Sequence, residues 1–292
     1  MEQIVLDAHA KINLTLDVTG KRDDGYHLLQ MIMQSLSLCD TVTLTKTDAP
    51  GIALTCSAPH IPCDERNIAY QAAELFLSRT GISPGVSIHI EKRIPSQAGL
   101  GGGSADGAAV LAGLNLLFET GLSEETLCDL GVLIGADVPF CIRGGTLLCE
   151  GIGEILTPVS PLPPCAVLLC KPEVNVSTRE AYGKIDRGEL LNRPDNGAML
   201  SALAEGDLRK IGREARNVFE CVLDLPVIDT IKTAMKDGGA LGACMSGSGS
   251  AVFGLFPHRS AAERCAVSLS EKHREVFRCE PASKGVSVVS FR

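Results

Sequence analysis

The residues Pro95, Ser96, Gln97, Ala98, Gly99, Leu100, Gly101, Gly102, Gly103, Ser104 and Ala105 place four glycines in five consecutive positions. Glycines at that density let a backbone turn with φ > 0 and let a ligand come close to its amides. A helical pattern begins at Ala105, so free N–H groups and the positive end of a helix dipole would face the same loop. The combination makes an anion site, best suited to phosphate. Ser104 can cap that helix, or donate to a phosphate or a metal-bound water. Two familiar phosphate loops are excluded. No Lys follows the glycines, as a P-loop requires. A G-x-G-x-x-G fingerprint started at Gly99 or Gly101 meets Ser104 or Asp106 where its third glycine should be.

A second glycine-rich stretch runs from Gly238 to Gly249 in the other half of the chain. One such stretch is weak evidence, being equally a flexible connector. Two in different halves point to a site between them. His9, Lys11 and Asn13 share one face of a predicted strand, each two residues from the next, which is also what a solvated strand face looks like. Asp137 lies in Gly-Ala-Asp-Val-Pro-Phe-Cys-Ile, among apolar residues. Unpaired burial of its carboxylate would cost several kcal/mol, so it is expected either to be paired or to cap a turn before Pro139. A Lys–Asp pair facing a phosphate loop suits phosphoryl transfer to an alcohol: the carboxylate takes the hydroxyl proton and the ammonium stabilises developing charge.

The elements that must hold these groups are legible as periodicities. Residues 4–18 alternate apolar and polar with period two, a strand with one buried face. Asp-Asp-Gly at 23–25 is a turn, and 28–46 reads as further strand, broken near Cys39 and Asp40. Helical spacing covers 66–79, with Asn67 as N-cap, then a strand at 86–94 and helices over 105–118 and 123–134. Four prolines within 157–164 mark a linker or domain edge. Beyond it, a strand at 166–170 precedes helices near 198–205, 207–223 and 227–236. A strand at 250–256, a helix at 259–272 and a last strand at 286–291 complete the pattern. The fold class is α+β in two parts, 1–156 and 165–292, with mixed strands and helices in each.

Composition bounds the rest. The 292 residues are 45% hydrophobic and 21% charged, which excludes wholesale disorder. A net charge of −8 with no basic run argues against nucleic-acid binding. No apolar stretch reaches bilayer length, and the first residues resemble neither a secretory nor a transit leader, so a cytoplasmic protein with no membrane partner is expected. The twelve cysteines include no C-x-x-C pair and no zinc spacing; most, such as Cys141, Cys149 and Cys170, read as small core residues.

Several separated motifs together carry a resemblance. Pro95–Ala105, the later loop at 242–249, the run from Ala10 to Leu16, Asp24-Gly-Tyr-His-Leu28 and Gly135–Phe140 span nearly the whole chain. On these the chain resembles the GHMP small-molecule kinases. It is most similar to the branch that phosphorylates the 2-hydroxyl of a cytidine-diphosphate-linked methylerythritol in the non-mevalonate isoprenoid route. The resemblance implies a two-domain fold with the active site in the cleft, ATP and Mg2+ as cofactors, and Pro95–Ala105 as the ATP loop. It implies Lys11 and Asp137 as the catalytic pair and Asn13 as a residue that helps hold substrate. Tyr26 and His27 match the cytosine pocket, one ring stacking and the His region hydrogen bonding, with Tyr182 on the other face of the base. Stacking of this kind is worth about 1–3 kcal/mol per base. Asp106 departs from the expected Asn or Ser, and should face away from the phosphates or meet the metal, whose ligands stay unknown. A monomer or weak homodimer is expected. The rival readings are a GHMP kinase for homoserine, mevalonate or a sugar, and a nucleotide sensor without turnover.

Overall fold

The structure, a computed structural model, describes residues 2–292. β1 (Gln3–Lys21) and β2 (His27–Thr47) form one long hairpin about the Asp-Asp-Gly turn. β3 (Ile52–Cys56), α1 (Ile68–Thr80), β4 (Gly85–Glu91), α2 (Gly102–Leu117), α3 (Glu124–Val132), α4 (Val138–Arg143), β5 (Thr146–Gly151) and β6 (Ile155–Pro158) complete the first half. The second half contains β7 (Ala166–Lys171), α5 (Thr178–Ile185), α6 (Asn196–Glu205), α7 (Leu208–Glu214), β8 (Arg216–Asn217) and a 3-10 turn (Val218–Cys221). It continues with α8 (Pro226–Asp237), β9 (Gly242–Met245), β10 (Val252–Phe256), α9 (Arg259–Ser270), β11 (Glu275–Cys279), β12 (Pro281–Ala282) and β13 (Val286–Phe291).

Two sheets result. The larger runs β13-β1-β2-β4-β3, with β5 on the far half of β2 and β8 on that of β1. The smaller is antiparallel, in the order β11-β7-β10-β9. The last strand therefore returns to the first sheet, pairing Val286–Phe291 with Ile4–Ala8. No helix among the described residues is long and apolar enough to cross a membrane.

The strand alternation holds from Ile4 to Ala10. Beyond that both faces of β1 are covered, since helices and the second half pack on the side expected to be wet. The break foreseen near Cys39 and Asp40 is a register shift within a continuous β2, where His9 pairs with Cys39 but Lys11 pairs with Ser35. It re-aims β1 where its chemistry-bearing residues lie. Asn67 caps α1 as predicted, accepting from Ala69 N at 2.9 Å. The single helix expected over 207–223 is instead α7, a bridge to β1 and a 3-10 turn. α7 ends where Ala215 turns to extended backbone, and Asn217 then caps the 3-10 turn by accepting from Phe219 N at 3.0 Å. All twelve cysteines are unpaired, and seven are buried, including Cys141, Cys149 and Cys170.

α2 lies directly on the hairpin, and Gly113 permits the approach. A Cβ there would stand 2.5 Å from Leu44 Cδ1 and 2.8 Å from Leu6 Cδ1. Gly113→Val is expected to destabilise the fold by about 1–3 kcal/mol through overpacking; a lower thermal unfolding midpoint checks it, and an unchanged midpoint would contradict the packing.

Candidate active site

Lys11 and Asn13 point from β1 into the junction of the two halves, and both are buried. Burial of an ammonium demands partners. Lys11 Nζ donates to Asn13 Oδ1 at 2.8 Å and ion-pairs with Asp137 Oδ2 at 3.2 Å. Asp137 is not wrapped in apolar residues as the sequence suggested; its side chain is 30% exposed and faces a cavity. It occupies the N-cap position of α4 yet makes no capping bond. A capping bond typically contributes about 1 kcal/mol, so the carboxylate forgoes that contribution and is left free for Lys11.

The glycine loop rests on the same lysine. Lys11 N donates to Leu100 O at 3.0 Å, and a Cβ on Gly101 would come within 2.9 Å of Lys11 Cγ. Gly101, with φ 70°, is the N-cap of α2. Ser104 is thus not the cap; it lies inside the first turn with its side chain toward the cavity. The first helical bond is Ala105 N to Gly101 O (2.8 Å), so the N–H groups of Gly102, Gly103 and Ser104 have no partner within the helix.

Of the eleven loop residues expected at ATP, Gln97, Gly99, Gly101 and Ser104 line the cavity. Pro95, Ser96, Ala98, Leu100, Gly102, Gly103 and Ala105 do not. Ala98, Leu100 and Ala105 are core residues that anchor the loop, and Ser96 meets His60 Nε2 at 3.1 Å.

The two glycine-rich loops touch. Gly99 has φ 74°, and a Cβ on it would stand 2.0 Å from Ser246 O. Ser246 Oγ donates to Gly99 O (2.9 Å), and Gly247 N donates to Asn13 Oδ1 (3.0 Å). One amide oxygen of Asn13 thereby joins the lysine to the second loop. Asn217, which sequence reasoning missed, donates to Met245 O (2.8 Å) and Gly247 O (2.7 Å) and holds that loop from behind. Its one sequence signal, an Asn inside an apparent helix, was overridden by the surrounding periodicity.

The cavity measures about 1390 Å³. A single small ligand usually takes roughly 300–1,000 Å³, so two have room. At the end away from the glycines, the His27 ring stacks on Tyr182 with centroids 4.6 Å apart and planes 24° apart. Tyr182 in turn meets Phe219 edge-on at 5.0 Å. A base does not fit between His27 and Tyr182 at that spacing. Tyr26 is 60% exposed at the rim. All three line the cavity, and His27 covers one face of the Tyr182 ring. Burial pushes the Tyr182 phenol up, so it stays protonated.

Comparison with known proteins gives the arrangement a family. Residues 67–145 match the model of the GHMP kinase N-terminal domain, and residues 199–275 match that of the GHMP kinase C-terminal domain. A relative from Caldicellulosiruptor saccharolyticus, named 4-diphosphocytidyl-2-C-methyl-D-erythritol kinase, is 48% identical over 274 residues, 92% of this chain and 94% of its own. The chain belongs to the 4-diphosphocytidyl-2-C-methyl-D-erythritol kinases, within the GHMP kinases. A Clostridium tetani relative of the same name is 44% identical, covering 93% of this chain and 98% of its own. A crystal structure of a 4-(cytidine 5′-diphospho)-2C-methyl-D-erythritol kinase superposes with a TM-score of 0.81 at 33% identity, over 96% of this chain and 99% of that one. A homoserine kinase from Cytophaga hutchinsonii, at 21% identity and TM-score 0.78, shares the fold.

Within this GHMP kinase frame Asp106 faces away from the phosphate loop, one of the two outcomes foreseen. Its Oδ2 accepts from Lys92 Nζ at 2.6 Å, and Lys92 also meets Asp40 Oδ2 at 2.5 Å. Asp40 Oδ1 further accepts from Arg93 N (2.5 Å) and Ile94 N (2.8 Å). Two carboxylates share one buried ammonium, and Asp106 Oδ1 has no partner. Burial, with the repulsion of Asp40, pushes the Asp106 carboxyl up to about 7 against the pull of Lys92.

A carboxyl whose pKa is higher in the folded chain binds its proton more tightly when folded. That contribution is complete below about pH 4 and is lost as pH rises toward about 7. The thermal midpoint is therefore expected to fall between pH 5 and pH 7.5, and Asp106→Asn is expected to flatten that slope. Parallel slopes for the two proteins would show that Asp106 is ionised throughout.

Proposed function

We propose that the chain transfers the γ-phosphoryl group of ATP to the 2-hydroxyl of 4-(cytidine 5′-diphospho)-2-C-methyl-D-erythritol. The observation that carries this reading is the Lys11–Asp137 pair, 3.2 Å apart, beside the N-terminus of α2 in a cavity with room for two ligands. Phosphates meet the free N–H groups of the first turn and the backbone of Gly99 and Gly101. The alcohol lies against Asp137, whose carboxylate accepts the hydroxyl proton as the oxygen attacks phosphorus in line. Lys11 faces the transferring group and offsets the charge that gathers there. Asn13 keeps Lys11 oriented when Asp137 turns to the substrate. Tyr26, His27 and Tyr182 hold the cytosine end, with the base edge-on to His27 and Tyr26 free to cover it.

Mg2+ suits this donor set. The ion usually keeps several waters and binds substrate phosphates with one or two protein oxygens. Ser104 and Asp137 face the cavity, whereas Asp106 is taken up by Lys92. Held there with the nucleotide, Mg2+ would neutralise phosphate charge.

One chain supplies every group, so a monomer suffices and a weak homodimer is compatible. The parts 1–156 and 165–292 contribute opposite walls of the cavity. Twelve unpaired cysteines fit a reducing compartment, and we assign the cytoplasm.

ADP release from ATP and Mg2+ is the direct test, with the cytidylyl substrate beside homoserine, mevalonate and galactose. Turnover with the first alone is expected. Turnover with another would keep a kinase and discard the cytosine end; ATP binding with no turnover on any would favour a sensor. Asp137→Asn should lose about 10²–10⁴-fold in turnover, the usual worth of a general base, while binding ATP normally in a calorimetric titration. Full activity in that variant would remove Asp137 as the base.

A further inference from the structure

The mechanism above leaves Asp186 unused, yet this residue ties three elements together at the base end of the cavity. It follows α5 directly as its C-cap residue. Its Oδ2 accepts from Lys21 Nζ at 2.7 Å, at the end of β1, and its Oδ1 accepts from His27 Nε2 at 2.8 Å, at the start of β2. The hydrogen bonds from Lys21 and His27 hold the Asp186 carboxyl below its usual range, so it is ionised at neutral pH. A carboxylate only accepts. The proton on that side of His27 must therefore be on Nε2, and a neutral ring then presents Nδ1 as its acceptor. Stacking on Tyr182 fixes the plane of the same ring, and Asp186 fixes its rotation.

We propose that Asp186 is a positioning residue for base recognition: by holding His27 with its proton on Nε2, it makes Nδ1 an acceptor for the exocyclic amine of cytosine. The inference rests on the cytidylyl substrate proposed above. Uracil carries an oxo group where cytosine carries that amine. An acceptor would then face an acceptor, a mismatch that rejects the wrong base by leaving polar groups unpaired. Neither the glycine loops nor the Lys11–Asp137 pair reads the base, so discrimination must arise at this end. Lys21 is the second partner of Asp186. It steadies the carboxylate without touching the imidazole, so the two contacts are separable by mutation.

The test compares the wild type with Asp186→Asn, Asp186→Glu and Lys21→Met, on cytidylyl- and uridylyl-methylerythritol substrates. An Asn amide can donate to Nε2 and so stabilise the opposite tautomer. Asp186→Asn is expected to raise KM for the cytidylyl substrate about three- to tenfold, the worth of roughly one hydrogen bond. The cytidine-over-uridine ratio of kcat/KM should fall by a similar factor, with KM for ATP unchanged. Asp186→Glu, which restores an acceptor, should recover part of the preference, and Lys21→Met should keep it.

An unchanged preference in Asp186→Asn, with the wild type active on the cytidylyl substrate, would overturn this inference alone. Equal loss of preference in Lys21→Met would also overturn it, by showing that Asp186 merely fastens α5. A wild type silent on the cytidylyl substrate would overturn the proposed function and this inference with it.

Discussion

A buried ammonium must be paired, and the site is organised around meeting that demand for Lys11. The lysine is nearly inaccessible, so its charge would be prohibitive without Asn13 and Asp137. Those two partners come from β1 itself and from the start of α4. Asn13 then passes the constraint on to Gly247, and Gly247 packs on Gly99, so one amide oxygen ties the lysine to the contact between the two glycine-rich loops. The register shift of β1 against β2 is the local device that aims the lysine inward.

A second buried lysine supports the same helix from below. Lys92 lies under the first turn of α2: a Cβ on Gly102 would come within 3.4 Å of its Nζ. Ionised, Asp40 and Asp106 would repel an anion held at that helix N-terminus, and the ammonium they share offsets their charge. The loop above therefore retains its capacity for anions. Asp106, odd when read beside the phosphate loop, belongs to this buried triad and not to the ligand.

What the sequence revealed follows the range of the interactions. Period-two alternation in β1, glycine density at 99–103 and the Asn67 cap are local and were readable. Asp137 stood out because a carboxylate is costly among such neighbours, whereas Lys11, on a strand face that also reads as solvated, was assigned by resemblance. The 3-10 turn after Asn217 and the short α5 were not readable. Neither has enough turns to build a periodic signal, and each is held by distant groups, Asn217 by the second glycine loop and α5 by Lys21 and His27 through Asp186. The stacked His27–Tyr182 pair was likewise invisible, because the residues are in different halves and meet only once the cleft forms. The tyrosines were found by resemblance, but their relation to each other was not.

The pairing of β13 with β1 has a consequence for biosynthesis. His9 hydrogen-bonds Ser287 across 278 positions of sequence, so the strand that carries Lys11 lacks one neighbour until nearly all of the chain described here has left the ribosome. At roughly 5–20 residues per second, the exposed edge of β1 persists for many seconds during synthesis. Non-local strand pairing of this kind is slow and exposes the chain to aggregation. The N-terminal half is translated first, but its sheet is complete only once Val286–Phe291 have been added beside Ile4–Ala8.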